Sequence, residues 1–403
     1  MTLHLFNPEN DLALADFSVH YIAPSSARVM AADLSMLPLW WAAPGDAVWV
    51  GEEQLSFLSA AWSPLCRCLQ ATPCSHWPQG VDEVCPWGWS PLLVGRLLRA
   101  GCPPVLLPDE RALRRIRTLS GRSLAVRLLH ELRSGEGFAT RWADRLCGAS
   151  YYCEDEEQVA RLVASLGPTM LKAPWSGSGK GLRFGHGAYV PPLSGWCRGV
   201  LRRQGAVVVE PIYDKVYDLA MEFFSDGCGG VNYRGLSVFF TTPRGTYAGN
   251  WVAPEHDKLQ WLSGLLPLAL WHDLAAVLCR RLSRYVGTAY RGVLGVDLML
   301  CRPDSGGPLL LHPCVEVNLR RTMGQVALDM AAWLAPGVQA RFMVDHYAGP
   351  DVLLGEVTRR QLQAPPVVEG GRLLSGYLPL VPASACSQYM ASLQVMPAPA
   401  LFP

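Results

Sequence analysis

A glycine-rich segment that directly follows a short apolar stretch constrains this chain more than any other feature. Residues 169–172 have the composition of a strand, and Ser176-Gly-Ser-Gly-Lys-Gly181 soon follows, with three glycines among six residues. Glycines lack the side chains that would keep a ligand from the backbone amides, so such loops suit phosphate. A Walker A loop is excluded, because Pro174 and Gly181 stand where that motif needs Gly and Ser or Thr. A kinase-type G-x-G-x-x-G loop is excluded as well, because its third glycine comes one place early. On these residues alone, the segment is either a phosphate-binding loop or a flexible hairpin between strands.

Acidic residues in later apolar stretches strengthen the phosphate-binding interpretation. Residues 207–209 are valines that lead to Glu210, and Asp218 comes eight residues later, before another apolar stretch. Asp297 lies in the apolar residues 295–298, and a turn separates it from the stretch Glu316-Val-Asn318-Leu-Arg320. In this order the residues resemble the ATP-grasp superfamily. The resemblance covers about residues 116–335, and its most specific part is Glu316-x-Asn318-x-Arg320 with an acid on the adjacent strand.

The resemblance implies an α/β fold class: an ATP-grasp fold, in which two α/β subdomains hold ATP between them, preceded by a small α/β pre-ATP-grasp domain. We expect the pre-ATP-grasp-like domain at residues 1–115 and the ATP-grasp domain at 116–335. Within the latter, 116–205 would form the linker helix and the lid-bearing subdomain, and 206–335 the metal-binding subdomain. Residues 336–403 would form a C-terminal extension with a loose, Pro-rich tail.

Local patterns fill in this outline. Short apolar stretches at residues 3–6, 47–50 and 104–107 predict strands of the first domain, and a periodic, Arg-rich stretch at 111–133 predicts one helix linking the domains. The polar turn at residues 7–11 follows the first strand. In an open α/β sheet this is where ligands bind, although the same residues also suit a simple capped turn.

The resemblance also assigns nucleotide-binding roles. Lys172 would reach the adenine and the α-phosphate, Glu210 would lie at the adenine hinge, and Asp218 would hold the ribose hydroxyls, although many relatives have a glutamate there. Arg122 takes the place of a lysine that often faces the phosphates from the linking helix, which keeps the charge but changes its geometry. The loop that would close over the β- and γ-phosphates comprises Ser176, Gly177, Ser178, Gly179 and Gly181, with Lys180 assisting catalysis.

A magnesium site is implied at Asp297, Glu316 and Asn318. Glu316 and Asn318 are two residues apart on a predicted strand, so their side chains leave the same face, and a hairpin would bring Asp297 alongside. Oxygen ligands without histidine or cysteine suit Mg²⁺. Arg320, on the same face, would reach the transferred phosphoryl group as a catalytic residue. The competing interpretation is a buried polar cluster that only stabilises the sheet.

Composition limits the classes of partner. The 403 residues carry 35 Lys and Arg against 34 Asp and Glu, so a net charge of +1 gives no reason to expect nucleic acid or an anionic membrane as a partner. The N-terminal residues lack a signal-peptide pattern and no stretch is long enough to span a membrane, so we expect a cytoplasmic protein. The 13 cysteines are scattered singly, as reduced thiols are. A zinc site is the alternative for one local group, although its spacing lacks paired two-residue knuckles. That group comprises Cys66, Cys68, Cys74, His76 and Cys85.

The function implied is that of an ATP-dependent carboxylate-amine ligase. It would use ATP and Mg²⁺ to activate a small-molecule or peptide carboxylate as an acyl phosphate and join it to an amine. Two alternatives stay open: an ATP-grasp small-molecule kinase, and a catalytically silent nucleotide-binding regulatory protein. Candidate substrate contacts are Arg234, Asn250, Arg291 and Arg321, together with the turn at residues 7–11. The abundance of arginine favours an anionic substrate such as an amino acid or a short peptide.

Overall fold

A computed structural model describes residues 1–59, 62–176, 181–242, 246–303 and 306–396 of the chain. Its α-helices are α1 (Asn10–Asp16), α2 (Ser25–Asp33), α3 (Glu52–Leu55), α4 (Pro91–Arg99), α5 (Glu110–Ser120), α6 (Arg122–Ser134), α7 (Phe138–Arg141), α8 (Glu156–Leu166), α9 (Pro191–Gln204), α10 (Glu255–Ser263), α11 (Leu268–Val286), α12 (Met323–Met330) and α13 (Val352–Gln363). Short 3₁₀ helices lie at Leu37–Trp40, Ser56–Ser59, Cys66–Cys68, Pro104–Leu106, Ala143–Arg145 and Ala331–Trp333.

The first domain is built on a parallel sheet of four strands in the order β3-β2-β1-β4. The strands are β1 (Thr2–Leu5), β2 (Ala47–Trp49), β3 (Thr72–Cys74) and β4 (Glu83–Pro86). Because parallel strands end at the same edge, the turn after β1 and the loop after β2 lie side by side there. The polar turn at residues 7–11 therefore lies at the carboxyl edge of this sheet and leads into α1.

The second sheet has the order β5-β8-β6-β7, and all its pairs are antiparallel. Its strands are β5 (Tyr151–Cys153), β6 (Pro168–Lys172), β7 (Leu182–His186) and β8 (Val207–Pro211). Helices α8 and α9 cover it, and Asp155 begins α8 by accepting a hydrogen bond from the Gln158 backbone N–H. The glycine-rich segment joins β6 to β7, as expected for a loop carried by this subdomain.

The third sheet is antiparallel, with eight strands in the order β13-β12-β9-β10-β11-β14-β18-β17, and a separate hairpin pairs β15 with β16. The strands are β9 (Asp214–Asp226), β10 (Val231–Thr241), β11 (Tyr247–Val252), β12 (Arg291–Arg302), β13 (Leu310–Asn318), β14 (Ala340–His346), β15 (Val367–Glu369), β16 (Arg372–Ser375), β17 (Tyr377–Pro379) and β18 (Tyr389–Val395). Strands β14, β17 and β18 come from residues beyond 335, so the sheet continues across the boundary predicted there. These C-terminal residues also pack on the first domain, where the Trp40 indole donates a 2.5 Å hydrogen bond to the Leu380 carbonyl.

The two faces of the third sheet differ in character. One face is apolar and packs against α11 in a single core. Its buried strand residues are Leu219, Met221, Phe223, Leu236, Val238, Leu294, Val296 and Leu298. On the opposite face, Asp297 opposes both Glu316 on β13 and Ala220 on β9. Opposed residues share a face and alternate residues repeat it, so Asp218 and Glu222 lie on this face as well. An acidic face therefore lies next to an apolar core.

This architecture confirms the predicted fold class: two α/β subdomains preceded by a small α/β domain. Two local predictions are wrong. Of residues 104–107, predicted as a strand, Pro104–Leu106 forms a 3₁₀ helix, because Pro103 and Pro104 cannot donate to a sheet ladder. The helix predicted at 111–133 is two helices, because Gly121 adopts an extended backbone between α5 and α6. Among the described residues, no helix combines the length and apolar character needed to cross a bilayer.

Candidate nucleotide and metal site

The hairpin of β12 and β13 brings the predicted metal ligands together. Asp297 and Glu316 are directly opposed in the strand register. The Asn318 amide Nδ2 donates a 3.1 Å hydrogen bond to Asp297 Oδ2. Asp297 and Asn318 are partly buried, and 29% of the Glu316 side chain is exposed, so a small ligand has access to their oxygens. The predicted hairpin is thus present, and the metal-binding role stays a prediction.

The electrostatics of this hairpin are those of a site with excess negative charge. Loss of hydration raises the pKa of Asp297 to about 7, and the nearby Glu316 carboxylate adds to that effect. The hydrogen bond from Asn318 and the charge of Arg320 act in the opposite direction. The donor set of two carboxylates and one amide fits Mg²⁺, and a divalent cation would favour the ionised form of Asp297. Within the described ranges, no group of three His, Cys, Asp or Glu side chains is arranged to hold a metal.

Arg122 connects this hairpin to the base of the glycine-rich loop. Its Nη2 lies 3.0 Å from Glu316 Oε1 and donates a 3.3 Å hydrogen bond to Ser176 Oγ. Its Nε donates a 3.1 Å hydrogen bond to the Ala173 carbonyl. The break at Gly121 makes Arg122 the first residue of α6, and its side chain is only 8% exposed. A buried cation is therefore fixed between the predicted lid and the predicted metal ligands.

Lys172 and Glu210, which the resemblance assigns to different parts of the nucleotide, form an ion pair with each other. The Lys172 ammonium lies 2.5 Å from Glu210 Oε2, and each side chain is 10% exposed. Glu210 Oε1 also accepts a 2.9 Å hydrogen bond from Ser150 Oγ. Loss of hydration acts to raise the pKa of Glu210, but the charge and hydrogen bond of Lys172, with a smaller contribution from Arg122, outweigh it and lower the pKa. Glu210 is thus held as a carboxylate beside several cationic or polar groups.

Gly181 and Ser176 close the base of the loop. The Ala173 backbone N–H donates a 2.9 Å hydrogen bond to the Gly181 carbonyl. Gly181 has φ +81°, and a Cβ there would lie 2.8 Å from Ser176 Cβ, so this position favours glycine. A cavity of about 330 Å³ adjoins both residues. The remaining predicted loop residues, Gly177, Ser178, Gly179 and Lys180, lie outside the described residues.

Arg320 links the hairpin to the first domain. Its Nε donates hydrogen bonds of 3.0 and 2.8 Å to the two carboxylate oxygens of Asp11, which belongs to the polar turn and α1. Its Nη2 donates to Asn318 Oδ1 at 3.1 Å, and its Nη1 donates to the Arg321 carbonyl at 3.1 Å. A guanidinium has five N–H donors, so two of them form no hydrogen bond with the residues that the structure describes.

Asp218 lies farther along the same face and is already engaged. Its Oδ2 accepts hydrogen bonds from Lys215 Nζ at 2.5 Å and from Thr241 Oγ1 at 2.8 Å. A sugar hydroxyl would therefore share or replace these donors. Lys215 was not singled out from the sequence, although it lies three residues before the predicted Asp218.

Glu222 is a buried acid that sequence reasoning missed. Its side chain is fully buried, and its Oε1 accepts a 2.8 Å hydrogen bond from Thr322 Oγ1. Its Oε2 has no partner among the described residues. Loss of hydration raises the pKa of Glu222 to about 8, and Asp297 contributes to the shift. An added Cβ at Gly295 or Gly324 would lie 2.8 or 2.2 Å from this carboxylate, so the two glycines make room for it. The available signal was an acid within the apolar stretch at residues 219–224.

The four residues expected to contact the substrate have different surroundings, and their role stays a prediction. Arg291 and Arg321 each form an ion pair with an acidic side chain. Asn250 is buried and donates a 2.6 Å hydrogen bond to a neighbouring serine. Arg234 is exposed.

No family model and no curated protein sequence matches this chain. Several solved structures are similar to it. The N5-carboxyaminoimidazole synthetase from Staphylococcus aureus, complexed with ADP, is 12% identical over 98% of this chain and 93% of that chain, with a TM-score of 0.48. Biotin carboxylase from Campylobacter jejuni is 12% identical over 98% and 87%, with a TM-score of 0.49. The biotin carboxylase domain of 2-oxoglutarate carboxylase from Hydrogenobacter thermophilus, complexed with MgADP, is 12% identical over 99% and 86%, with a TM-score of 0.49. These likenesses concern the fold alone.

Proposed function

We propose that this chain is an ATP-dependent ligase that activates a carboxylate as an acyl phosphate and joins it to an amine, releasing ADP and phosphate. The observation that carries the proposal is the convergence of Asp297, Glu316, Asn318 and Arg320 on one hairpin, with Arg122 joining that hairpin to the loop. Phosphoryl transfer requires positioning and charge neutralisation more than a protein nucleophile. This arrangement supplies both.

The cationic groups would bind the phosphates. Lys172 and Arg122 both lie close enough to Glu210 to lower its pKa. A phosphate that entered between them would compete with Glu210 for the Lys172 ammonium and with Glu316 for the Arg122 guanidinium. These ion pairs would hold the two cations in position while no nucleotide is bound.

The acidic hairpin would hold the metal. Asp297, Glu316 and Asn318 would bind Mg²⁺, which neutralises charge on the phosphates when bound. Arg320, fixed by Asp11 and Asn318, would direct its two free N–H donors at the transferred phosphoryl group. In the first step a carboxylate oxygen of the substrate attacks the γ-phosphorus and ADP leaves. In the second step the amine attacks the acyl carbon, phosphate leaves, and one proton is released.

A two-part assay tests this proposal. Calorimetry with a non-hydrolysable ATP analogue and Mg²⁺ measures binding, and a matrix of carboxylates and amines is then screened for release of ADP and phosphate. Mass spectrometry identifies the condensed product, and hydroxylamine in place of the amine should trap the acyl phosphate as a hydroxamate. We expect ADP and phosphate in equal amounts. ADP without phosphate, with a phosphorylated product, would instead indicate the kinase, and analogue binding without turnover of any pair would indicate the regulatory protein.

A further inference from the structure

A separate cavity of about 460 Å³ lies at the carboxyl edge of the parallel sheet in the first domain. Its volume is within the range of small-molecule sites. The residues that bear on its chemistry are Phe6, Glu9, Arg28, Ser35, Trp49 and Arg96. It is larger than the cavity beside the glycine-rich loop, and none of the predicted nucleotide or metal ligands lines it.

Glu9 gives this cavity a specific polar feature. The residue is only 5% exposed, and its Oε1 lies 3.2 Å from Arg96 Nη1. Its Oε2 is buried and has no hydrogen-bond partner among the described residues. The Ser35 hydroxyl, also on the cavity wall and 6% exposed, has no partner in the same ranges. Unpaired polar atoms of this kind cost stability unless a donor or acceptor satisfies them. A hydrogen-bond donor of a ligand, such as an ammonium group beside Glu9, would supply the partner that Glu9 Oε2 lacks in the described part of the chain.

The rim of the cavity is positive. Arg28 lies on α2 at the rim, and its exposed side chain forms no hydrogen bond or ion pair with any part of the chain that the structure describes. Arg96 is 52% exposed and uses one nitrogen on Glu9, so it has donors to spare. A carboxylate or another small anionic group of a ligand would therefore bind at the rim, where Arg96 also contacts Glu9.

The remaining walls are apolar. Leu5, Phe6, Trp49 and Leu93 line the cavity and leave room for a side group without charge. The cavity thus offers a position for a cationic group, one for an anionic group and one for an apolar group. An amino acid carries all three groups in one small molecule.

We propose that this cavity binds an amino acid with an apolar or aromatic side chain, with its ammonium group on Glu9 and its carboxylate on Arg28 and Arg96. This proposal does not depend on the proposed ligase reaction, because none of the predicted nucleotide or metal ligands that the structure describes lines the cavity. It is nonetheless close to the candidate site along the chain: Glu9 is two residues from Asp11, which binds Arg320.

Calorimetry on the full chain without nucleotide tests the site. The probes are the individual apolar and aromatic L- and D-amino acids, together with two altered forms of whichever binds best: its N-acetyl derivative, which lacks the ammonium group, and its amide, which lacks the carboxylate. We expect at least one amino acid to bind and both altered forms to bind about tenfold more weakly or worse. ADP should not displace it.

Variants assign the contacts. Glu9→Gln should weaken binding of the amino acid about tenfold or more. Arg28→Ala should weaken binding of the amino acid but not of its amide, because the amide has no carboxylate for Arg28 to contact. Arg28 is exposed, so that variant does not depend on Glu9→Gln folding normally. Glu110→Gln, at an exposed ion pair on α5, is the control and should bind normally. No binding by any amino acid, or equal binding by both variants and wild type, would overturn the proposal. The ligase proposal is tested by binding of the ATP analogue and by ADP release, which do not involve this cavity. A negative result for amino-acid binding can therefore be told apart from a negative result for the ligase proposal.

Discussion

The variant Glu316→Gln distinguishes two interpretations of the acidic hairpin: a metal site, and a polar cluster that only stabilises the sheet. The change keeps the size of the side chain but removes its charge, and with it the 3.0 Å ion pair to Arg122. Arg122 is buried and Glu316 is 29% exposed, but the amide oxygen of the variant can still accept a hydrogen bond from Arg122. We therefore expect a loss of about 1 kcal/mol, below the roughly 3–5 kcal/mol typical of a buried charge left without a partner. Arg122 also keeps its hydrogen bonds to Ser176 and Ala173. We therefore expect the melting temperature to fall by about 4 °C at most.

Turnover should fall far more than stability. Removing one group that stabilises charge in a transition state typically lowers kcat by about 10²–10³-fold. The assay is ADP release as a function of Mg²⁺ concentration, and we expect the Glu316→Gln titration to move to higher Mg²⁺. The same change should lower the pKa of Asp297, because the Glu316 charge contributes to raising it.

Glu131→Gln is the matched control. Glu131 lies 3.2 Å from Arg281, and its side chain is 23% exposed, close to the value for Glu316. This variant should lose similar stability and keep its turnover and Mg²⁺ dependence. A Glu316→Gln protein with a near-normal rate at limiting Mg²⁺ would refute the metal assignment, and so would an equal loss of turnover in both variants.

The remaining predictions concern the nucleotide contacts and the buried acid. Lys172→Ala would leave the buried Glu210 carboxylate without its partner and lower the free energy of unfolding by about 3–5 kcal/mol, so the double change Lys172→Gln/Glu210→Gln is preferable. Calorimetry should show that this double variant folds normally and binds ATP much more weakly. Unchanged ATP affinity would mean that Lys172 has only a structural role. Because the pKa of Glu222 rises from 4.5 to about 8 on folding, the folded state binds an extra proton between about pH 5 and 8. The free energy of unfolding should therefore fall as pH rises through that window, by about 1.4 kcal/mol per pH unit, and Glu222→Gln should flatten the slope in urea titrations; an unchanged slope contradicts this. Gly181→Ala and Gly80→Ala both place a side chain at positive φ, which should cost each about 1 kcal/mol in urea unfolding. Gly181→Ala should cost more than Gly80→Ala, because only at position 181 does the new Cβ meet a neighbour. In calorimetry, only Gly181→Ala should weaken binding of the ATP analogue. Equal affinities of the two variants would exclude a role for the base of the loop in nucleotide binding.

The hairpin of Asp297 and Glu316 could be predicted because its determinants are local. Alternation with period two places Glu316 and Asn318 on one face, and a short turn between two apolar stretches leaves antiparallel pairing as the simplest arrangement. Lys172 and Glu210 could be located for a similar reason, since each lies in a short apolar strand. Their mutual ion pair could not be predicted, because the order β5-β8-β6-β7 pairs strands that are distant in sequence.

What escaped prediction depends on long-range packing. The continuation of the third sheet into β14, β17 and β18 requires pairing between residues around 250, 340 and 390, which no local pattern specifies. Glu222 is an ordinary acid in sequence, and only the positions of Gly295 and Gly324 reveal the space made for it. The break at Gly121 was hidden because the apolar period continues across it, yet it sets the position of Arg122.

The acidic face of the third sheet costs folding free energy that packing alone would not require. Burial raises the pKa values of Asp297 and Glu222 to about 7 and about 8, so ionising either in the folded chain is unfavourable. Replacing buried charged groups by apolar side chains of similar size often leaves a protein at least as stable. Folding stability alone therefore does not explain why these acids lie on this face. Thr322 and two glycines enclose Glu222, whereas Asp297 and Glu316 keep accessible oxygens. A cation bound to the accessible pair would favour the folded chain by linkage. Added Mg²⁺ should therefore raise the melting temperature of the wild type and of Glu222→Gln, but raise that of Glu316→Gln much less; an equal rise in all three would place Mg²⁺ elsewhere on the chain.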